Sequence, residues 1–207
     1  DPETGGHIKR TQNYVRLLAR TLRESSKHRT SLDDETIDLL YKSAPLHDIG
    51  KVGVPDGILL KPGKLSEAEF EEMKKHAVIG RDAIRATEKK LGNRSFLQFA
   101  HDIAYTHHEK WNGNGYPQGL RGEEIPLCGR LMALADTYDA LISQRVYKPP
   151  LTHEEATRII VKDKGTHFDP DIVDAFLTVS EEFRNIAREY ADSEKQHVLK
   201  LDAQATP

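Results

Sequence analysis

At 207 residues the chain is long enough for one domain with a sizeable buried core, and its 37% hydrophobic and 30% charged residues describe a soluble globular protein. A net charge of −3 gives no overall attraction to polymeric nucleic acid or anionic lipid, so any phosphate binding must be local, and no apolar run approaches the roughly 18 residues of a membrane span. Cys128 is the only cysteine, which excludes a disulfide framework and thiolate-rich zinc sites and suits a reducing cytoplasm.

The chain opens at Asp1 without a leader sequence and reads as a domain excised from a longer protein. Alternation of β-branched with polar residues is nearly absent while helical spacing recurs, so the predicted fold is all-α. A first helix is expected over about 4–28, with Ile8, Val15, Leu18 and Leu22 on one face and Glu3 and His7 one turn apart at its start. Ser31 and Asp34 form a capping-box pattern opening a second helix, which Pro45 should kink and Gly50 stop, with His47 and Asp48 at its end. After a Gly- and Pro-rich loop over 51–63, Ser66 and Glu69 cap a helix running through Phe70 and Met73 to His76. Further helices are predicted at about 79–89 and 95–108, the latter burying Phe96, Phe99, Ile103 and Ala104 and ending in His107, His108 and Glu109. Gly113, Gly115, Pro117, Gly119, Gly122 and Pro126 make a long loop, which Trp111 and Tyr116 should order. A helix from Arg130 to Ile142 carries Asp136 and Asp139, and a basic turn spans Arg145 to Lys148. Thr152 to Glu155 and Asp169-Pro170 begin the last two helices, and the polar tail after residue 190 is expected to fray.

Glu3, His7, His47, Asp48, His76, His107, His108 and Asp136 therefore sit on different helices or at their ends. Imidazoles and carboxylates without thiolates suit iron, manganese, nickel or zinc. These donors exceed the needs of one ion, so convergence would imply two metals, or three. Asp136 follows the apolar run Met132 to Ala135, where an unpaired carboxylate is costly to bury and a metal, an Arg or a capping partner is expected. Lys51 carries a cation just past Asp48, placed to meet an anionic substrate. Singly, His76 beside Lys74 and Lys75 reads as readily as a surface residue, and His107-His108 as an ordinary helix end. His28, His101, His153, His167 and His197 have no comparable context.

His47-Asp48-x-Gly50-Lys51, followed by His107-His108-Glu109-Lys110-Trp111-x-Gly113-x-Gly115-Tyr116-Pro117, resembles the signature of the HD-GYP family, phosphodiesterases that hydrolyse the bacterial second messenger cyclic di-GMP. Glu3-Thr4-Gly5-x-His7 before it and Ala135-Asp136-x-Tyr138-Asp139-Ala140-Leu141 after it belong to the same resemblance, which spans about 3–148. It implies an all-α, HD-superfamily helical bundle of about seven or more helices with a metal site between helices. Residues 1–190 would form the phosphodiesterase domain and 191–207 a polar tail. The implied ligands are His7, His47, Asp48, His76, His107, His108 and Asp136, with Glu3 as the extra carboxylate of members holding three metals. Two or three divalent ions are implied, iron or manganese first, with nickel or zinc as alternatives. Asp48 would bridge two of them, and a hydroxide between them would attack phosphorus in line. Lys51 would stabilise the reacting phosphorus centre or assist the leaving ribose oxygen, giving pGpG or GMP. Arg145 and Lys148 would grip the substrate's phosphates, and Asp139 would orient that turn or nearby ligands. Gly115, Tyr116 and Pro117 would wall the site or present it to a diguanylate cyclase-type partner. An upstream sensory or receiver domain and a homodimer are further family expectations. The family usually carries Asp where this chain has Asn112 and often Ser where it has Asn114; neither change removes a ligand, but the first bears on loop order. Two other readings keep the same residues: a hydrolase of another cyclic dinucleotide such as cyclic GMP-AMP or of a nucleotide, and a low-turnover cyclic di-GMP sensor or docking module.

Overall fold

Apolar spacing and local capping account for most of the observed elements. The computed structural model describes residues 5–25, 27–91, 96–143 and 149–191. Helix α1 (Gly5–Arg23) buries Val15, Leu18 and Leu22 together with Tyr14, while Ile8 is only partly covered. Helix α2 (Asp34–Ser43) is capped by Asp33, whose carboxylate accepts the Thr36 N–H at 2.7 Å. Ser31 is thus not the expected cap; its hydroxyl donates to His28 O instead. Pro45 does more than kink the helix: with no N–H to offer, it leaves a tight 3₁₀ turn over Ala44–Leu46, and a second follows at Ile49–Gly53. Beyond α3 (Asp56–Leu59), Ser66 and Glu69 form the predicted reciprocal cap of α4 (Glu67–Lys74). The chain breaks at Lys75, so His76 opens α5 (His76–Leu91) rather than ending its predecessor.

In α6 (Phe96–Thr106) the buried residues are Leu97, Ala100, Ile103 and Ala104, whereas Phe96 is exposed and Phe99 only partly covered, a shift of the predicted stripe at its first position. Helix α7 (Leu127–Ile142) begins three residues early, because Pro126 serves as its N-cap residue. Helices α8 (His153–Lys162) and α9 (Pro170–Thr178) start at the predicted Thr152 and Asp169 caps, and residues 180–191 are helical again. Among the described residues no β-strand forms, only isolated bridges joining Asn112 to Arg121 and Lys164 to Phe168.

The main core lies between α1, α2, α7, α8 and α9, where Tyr14 stacks on Phe183 at 4.3 Å and Tyr138 meets both rings edge-on. A smaller cluster of Ile84, Leu97, Ala100 and Ala104 joins α5 to α6. Helix α6 serves both clusters through Ile103 and Ala104, which fixes its C-terminal end, and the histidines there, against the rest of the bundle. No helix among the described residues is long and apolar enough to cross a membrane. Glu3, Arg145, Lys148 and residues 192–207 of the tail lie outside the described residues.

Candidate metal centre

Seven of the sequence-predicted donors converge at the junction of these helices. His7 comes from α1, His47 and Asp48 from the connection between the two 3₁₀ turns, His76 from the start of α5, His107 and His108 from just beyond α6, and Asp136 from α7. They form two groups, Asp48/His76/His107/His108 and His7/His47/Asp136, with the donor atoms of each within 4.8 Å of one another. Asp48 stands between them. Its Oδ1 lies 3.1 Å from His76 Nε2 and 3.6 Å from His107 Nε2, while its Oδ2 lies 3.3 Å from His47 Nε2 and 2.8 Å from Lys51 Nζ. Across the second group, Asp136 Oδ1 is 3.8 Å from His7 Nε2 and 3.9 Å from His47 Nε2.

Backbone carbonyls set the tautomers. His47 Nδ1 donates to Ala44 O at 3.0 Å, His76 Nδ1 to Met73 O at 2.7 Å and His107 Nδ1 to Ile103 O at 2.9 Å. A carbonyl only accepts, so each Nδ1 carries the proton and each Nε2 presents a lone pair inward. His7 is set the same way by the Asp139 carboxylate at 2.9 Å. Lone pairs aimed at one another repel: His7 Nε2 and His47 Nε2 are 3.4 Å apart, while His108 Nε2 lies 3.1 Å from the His76 Nε2 lone pair, at hydrogen-bond distance. Asp48 Oδ1 and His107 Nε2 are moreover buried without a hydrogen-bond partner among the described residues. A divalent cation in each group would satisfy these atoms, and the two donor sets fit such ions. Burial pushes the Asp48 carboxyl up, but positive charge beside it, from His47 when protonated together with hydrogen bonds from His107, His47 and His76, outweighs that and holds it well below the usual carboxylate range. Burial, with His107 and His76 adding to it, holds His108 well below the usual imidazole value. An ionised carboxylate and a neutral imidazole are the states ligation requires. His47 and His107 are fully covered, whereas side-chain exposure rises to 14% at His7, 19% at Lys51 and 22% at Asp136, which marks the side open to solvent.

A surrounding layer holds the donors in place. Asp139, 1% exposed, accepts from His7 and also from Arg10 Nε at 2.6 Å and Nη2 at 3.0 Å, and so orients a candidate ligand; the turn it is also expected to orient lies outside the described residues. Burial alone would raise its carboxyl; the bonds from His7 and Arg10 outweigh that and lower it. Gly50 is not a helix stop. A Cβ there would lie 1.9 Å from His76 O and 2.4 Å from Gly80 N, so its hydrogen lets the Asp48–Lys51 segment pack directly on α5. His76 is 2% exposed, which excludes the surface reading.

The long loop is ordered. Trp111 N donates to His167 O at 3.0 Å, Asn112 N donates to Thr166 O at 2.9 Å, and the Asn112 side chain accepts Asn114 N at 3.0 Å. Tyr116 stacks on His108 with ring centres 4.7 Å apart and planes 24° off parallel. Sequence reasoning missed Arg10 and Glu109. Arg10 had a signal in its one-turn spacing from His7. Glu109 is 1% exposed and accepts Gln118 N at 2.7 Å and Leu120 N at 3.1 Å, a role invisible without the loop's path.

Comparison with known proteins is consistent with this geometry. The HD domain family model matches residues 4–172. A cyclic di-GMP phosphodiesterase of Vibrio cholerae is 58% identical over 93% of this chain and 39% of its own length. A 3'3'-cGAMP-specific phosphodiesterase 2 of the same organism is 41% identical over 87% of this chain and 32% of its own. The chain thus spans less than half of these relatives. Among solved structures, an HDG"Y"P protein from Bdellovibrio bacteriovorus superposes with a TM-score of 0.59 at 22% identity, over 86% of this chain and 54% of the other, a likeness of fold.

Proposed function

The chain belongs to the HD domain family and carries the HD-GYP signature, and from that premise we propose that it is a metal-dependent phosphodiesterase hydrolysing cyclic di-GMP to pGpG or on to GMP. The observation that carries this reading is the convergence of five imidazoles and the Asp136 carboxylate around Asp48, with its Oδ1 unsatisfied at the centre. Asp48, His76, His107 and His108 would hold one ion and His7, His47 and Asp136 a second, with Asp48 shared between them. Iron or manganese suits this set best, with nickel or zinc as substitutes, and Glu3 would add a carboxylate for a third. When bound, divalent ions supply Lewis acidity, acidifying water and drawing charge from phosphoryl oxygens.

The chain's own groups then position and neutralise. Lys51, in contact with Asp48 and facing the open side, places its ammonium against the phosphodiester, where it offsets developing negative charge and can give a proton to the departing ribose oxygen. Arg145 and Lys148 would hold the second phosphate, and Tyr116 and Pro117 wall the site. On the same reading residues 1–190 form the catalytic domain, working in the cytoplasm beside a sensory or receiver domain. A diguanylate cyclase-type partner would meet the Gly115–Pro117 loop, and a second copy would complete a homodimer. The 41% identical relative named for 3'3'-cGAMP favours that dinucleotide as the second reading.

The test is metal content and turnover of both cyclic dinucleotides on one anaerobically purified sample, for the natural chain and Asp48→Ala. Two or three ions with cyclic di-GMP turnover that vanishes in the variant is the expected result, three ions supporting Glu3. Preference for cyclic GMP-AMP selects the second reading, and nucleotide binding without turnover selects the sensor reading. A folded protein that takes up no metal overturns the proposal.

A further inference from the structure

Glu109 is a buried carboxylate that no step of the proposed hydrolysis uses. Burying such a group is costly unless several donors surround it, so its partners indicate its task. Immediately before it, His108 is a candidate ligand; immediately after it the chain leaves, circles through Gly115-Tyr116-Pro117, and returns. The returning segment of the loop lies directly on Glu109: a Cβ at Gly115 would sit 2.4 Å from Glu109 Cα and 2.3 Å from Lys110 N. The two carboxylate oxygens then reach past the turn, Oε1 accepting Gln118 N at 2.7 Å and Oε2 accepting Leu120 N at 3.1 Å. On the turn's near side, Tyr116 N donates to His108 O at 3.2 Å. Between these two anchorages the Tyr116 ring lies against His108, 4.7 Å centre to centre.

We infer that Glu109 is a positioning residue for the metal centre: by gathering the N–H groups of Gln118 and Leu120 it holds Tyr116 flat against His108 and so sets the plane in which His108 offers its nitrogen. The inference rests on the metal reading of the centre proposed above. It needs a carboxylate in particular. Two diverging N–H donors require two acceptor oxygens, and an amide would turn an NH₂ toward one of them.

The experiment uses the full 207-residue chain with Glu109→Gln, Tyr116→Ala, Tyr116→Phe and the Gln/Ala double variant. Amide hydrogen exchange is measured on metal-free protein, and Mn²⁺ affinity by titration followed through the EPR signal of the free ion. Glu109→Gln should speed exchange at Gln118 and Leu120 by about 10-fold or more and weaken one Mn²⁺ site by about 10-fold, the lower end of what loss of an outer-layer partner costs a metal site. Tyr116→Ala should weaken the same site equally, Tyr116→Phe should bind as the natural chain does, and the double variant should be no worse than either single to within about 2-fold. Losses that multiply in the double variant, or faster exchange with unchanged Mn²⁺ affinity, would overturn the inference by making Glu109 a loop fastener alone. Should Glu109→Gln fail to fold, unchanged Mn²⁺ affinity in Tyr116→Ala overturns the inference equally and a weakened site with Tyr116→Phe intact supports it. If the natural chain itself binds no Mn²⁺, the metal reading fails, while the exchange data still report on the clamp.

Discussion

Replacing Gly50 by Ala isolates the requirement for close backbone approach at the centre. The added methyl would fall 1.9 Å from His76 O, 2.4 Å from Gly80 N and 2.9 Å from Gly80 Cα, all of them backbone atoms that cannot rotate aside. Reaching an ordinary 3.4 Å contact with His76 O requires the 3₁₀ turn and α5 to separate by about 1.5 Å. Asp48 and Lys51 ride on one side of that gap and His76 on the other, with only 3.1 Å between Asp48 Oδ1 and His76 Nε2. Overpacking of this kind costs about 1–3 kcal/mol, which for a domain of this size lowers Tm by about 2–12 °C. The catalytic cost is of similar size: a misplacement near 1 Å removes about 10²-fold from turnover, about 2.7 kcal/mol. Gly57→Ala is the control, since a Cβ there meets nothing within 4 Å. Circular dichroism, thermal unfolding, metal content and cyclic di-GMP turnover are compared for the three proteins. Helicity should survive in Gly50→Ala while metal content and turnover fall, and Gly57→Ala should behave as the natural chain. Unaltered turnover and metal content in Gly50→Ala would refute the close-approach reasoning outright.

Asp139→Asn leaves the buried Arg10 guanidinium without its anionic partner, and breaking such a pair costs about 3–5 kcal/mol; thermal unfolding and metal content at the His7 group should both fall. Because the folded-state Asp139 carboxyl is held below its ordinary value, its stabilisation is present above about pH 4 and lost as pH falls through the folded value. The Asn variant should therefore show a flatter loss of stability on acidification, seen in denaturant titrations below about pH 4. Lys51→Ala should retain its metals, measured by elemental analysis, yet lose about 10²–10³-fold in kcat, as removal of a charge-stabilising donor does elsewhere. Chelation should abolish turnover and lower Tm, because ions that bind only the folded state stabilise it by mass action; Mn²⁺ should restore both. Loss of activity on chelation with no fall in Tm would mean that the ions add nothing to the fold.

What the amino-acid sequence determined by itself is what local chemistry decides. Helical spacing marked the Val15, Leu18 and Leu22 face, and Ser66, Thr152 and Asp169 announced three helix starts, because a cap bonds to backbone within three residues of itself. The seven candidate donors that the structure brings together were legible because metal chemistry restricts residue type and most of them fall within recognisable motifs. The register of the Phe96 helix, the Asp33 cap and the opening of a helix at His76 were not, since each turns on competition between near-equivalent local choices. Tertiary structure alone decided how the donors act. His7 meets Asp139 across 132 residues of chain, and only that meeting sets its tautomer. Gly50 reads as a helix stop until α5 is laid against it, and Glu109 as no more than a helix end until the loop folds back over it. A sequence names the groups that can bond a metal or an N–H. Which lone pair faces which depends on backbone brought together from distant positions, and only the packed bundle supplies that.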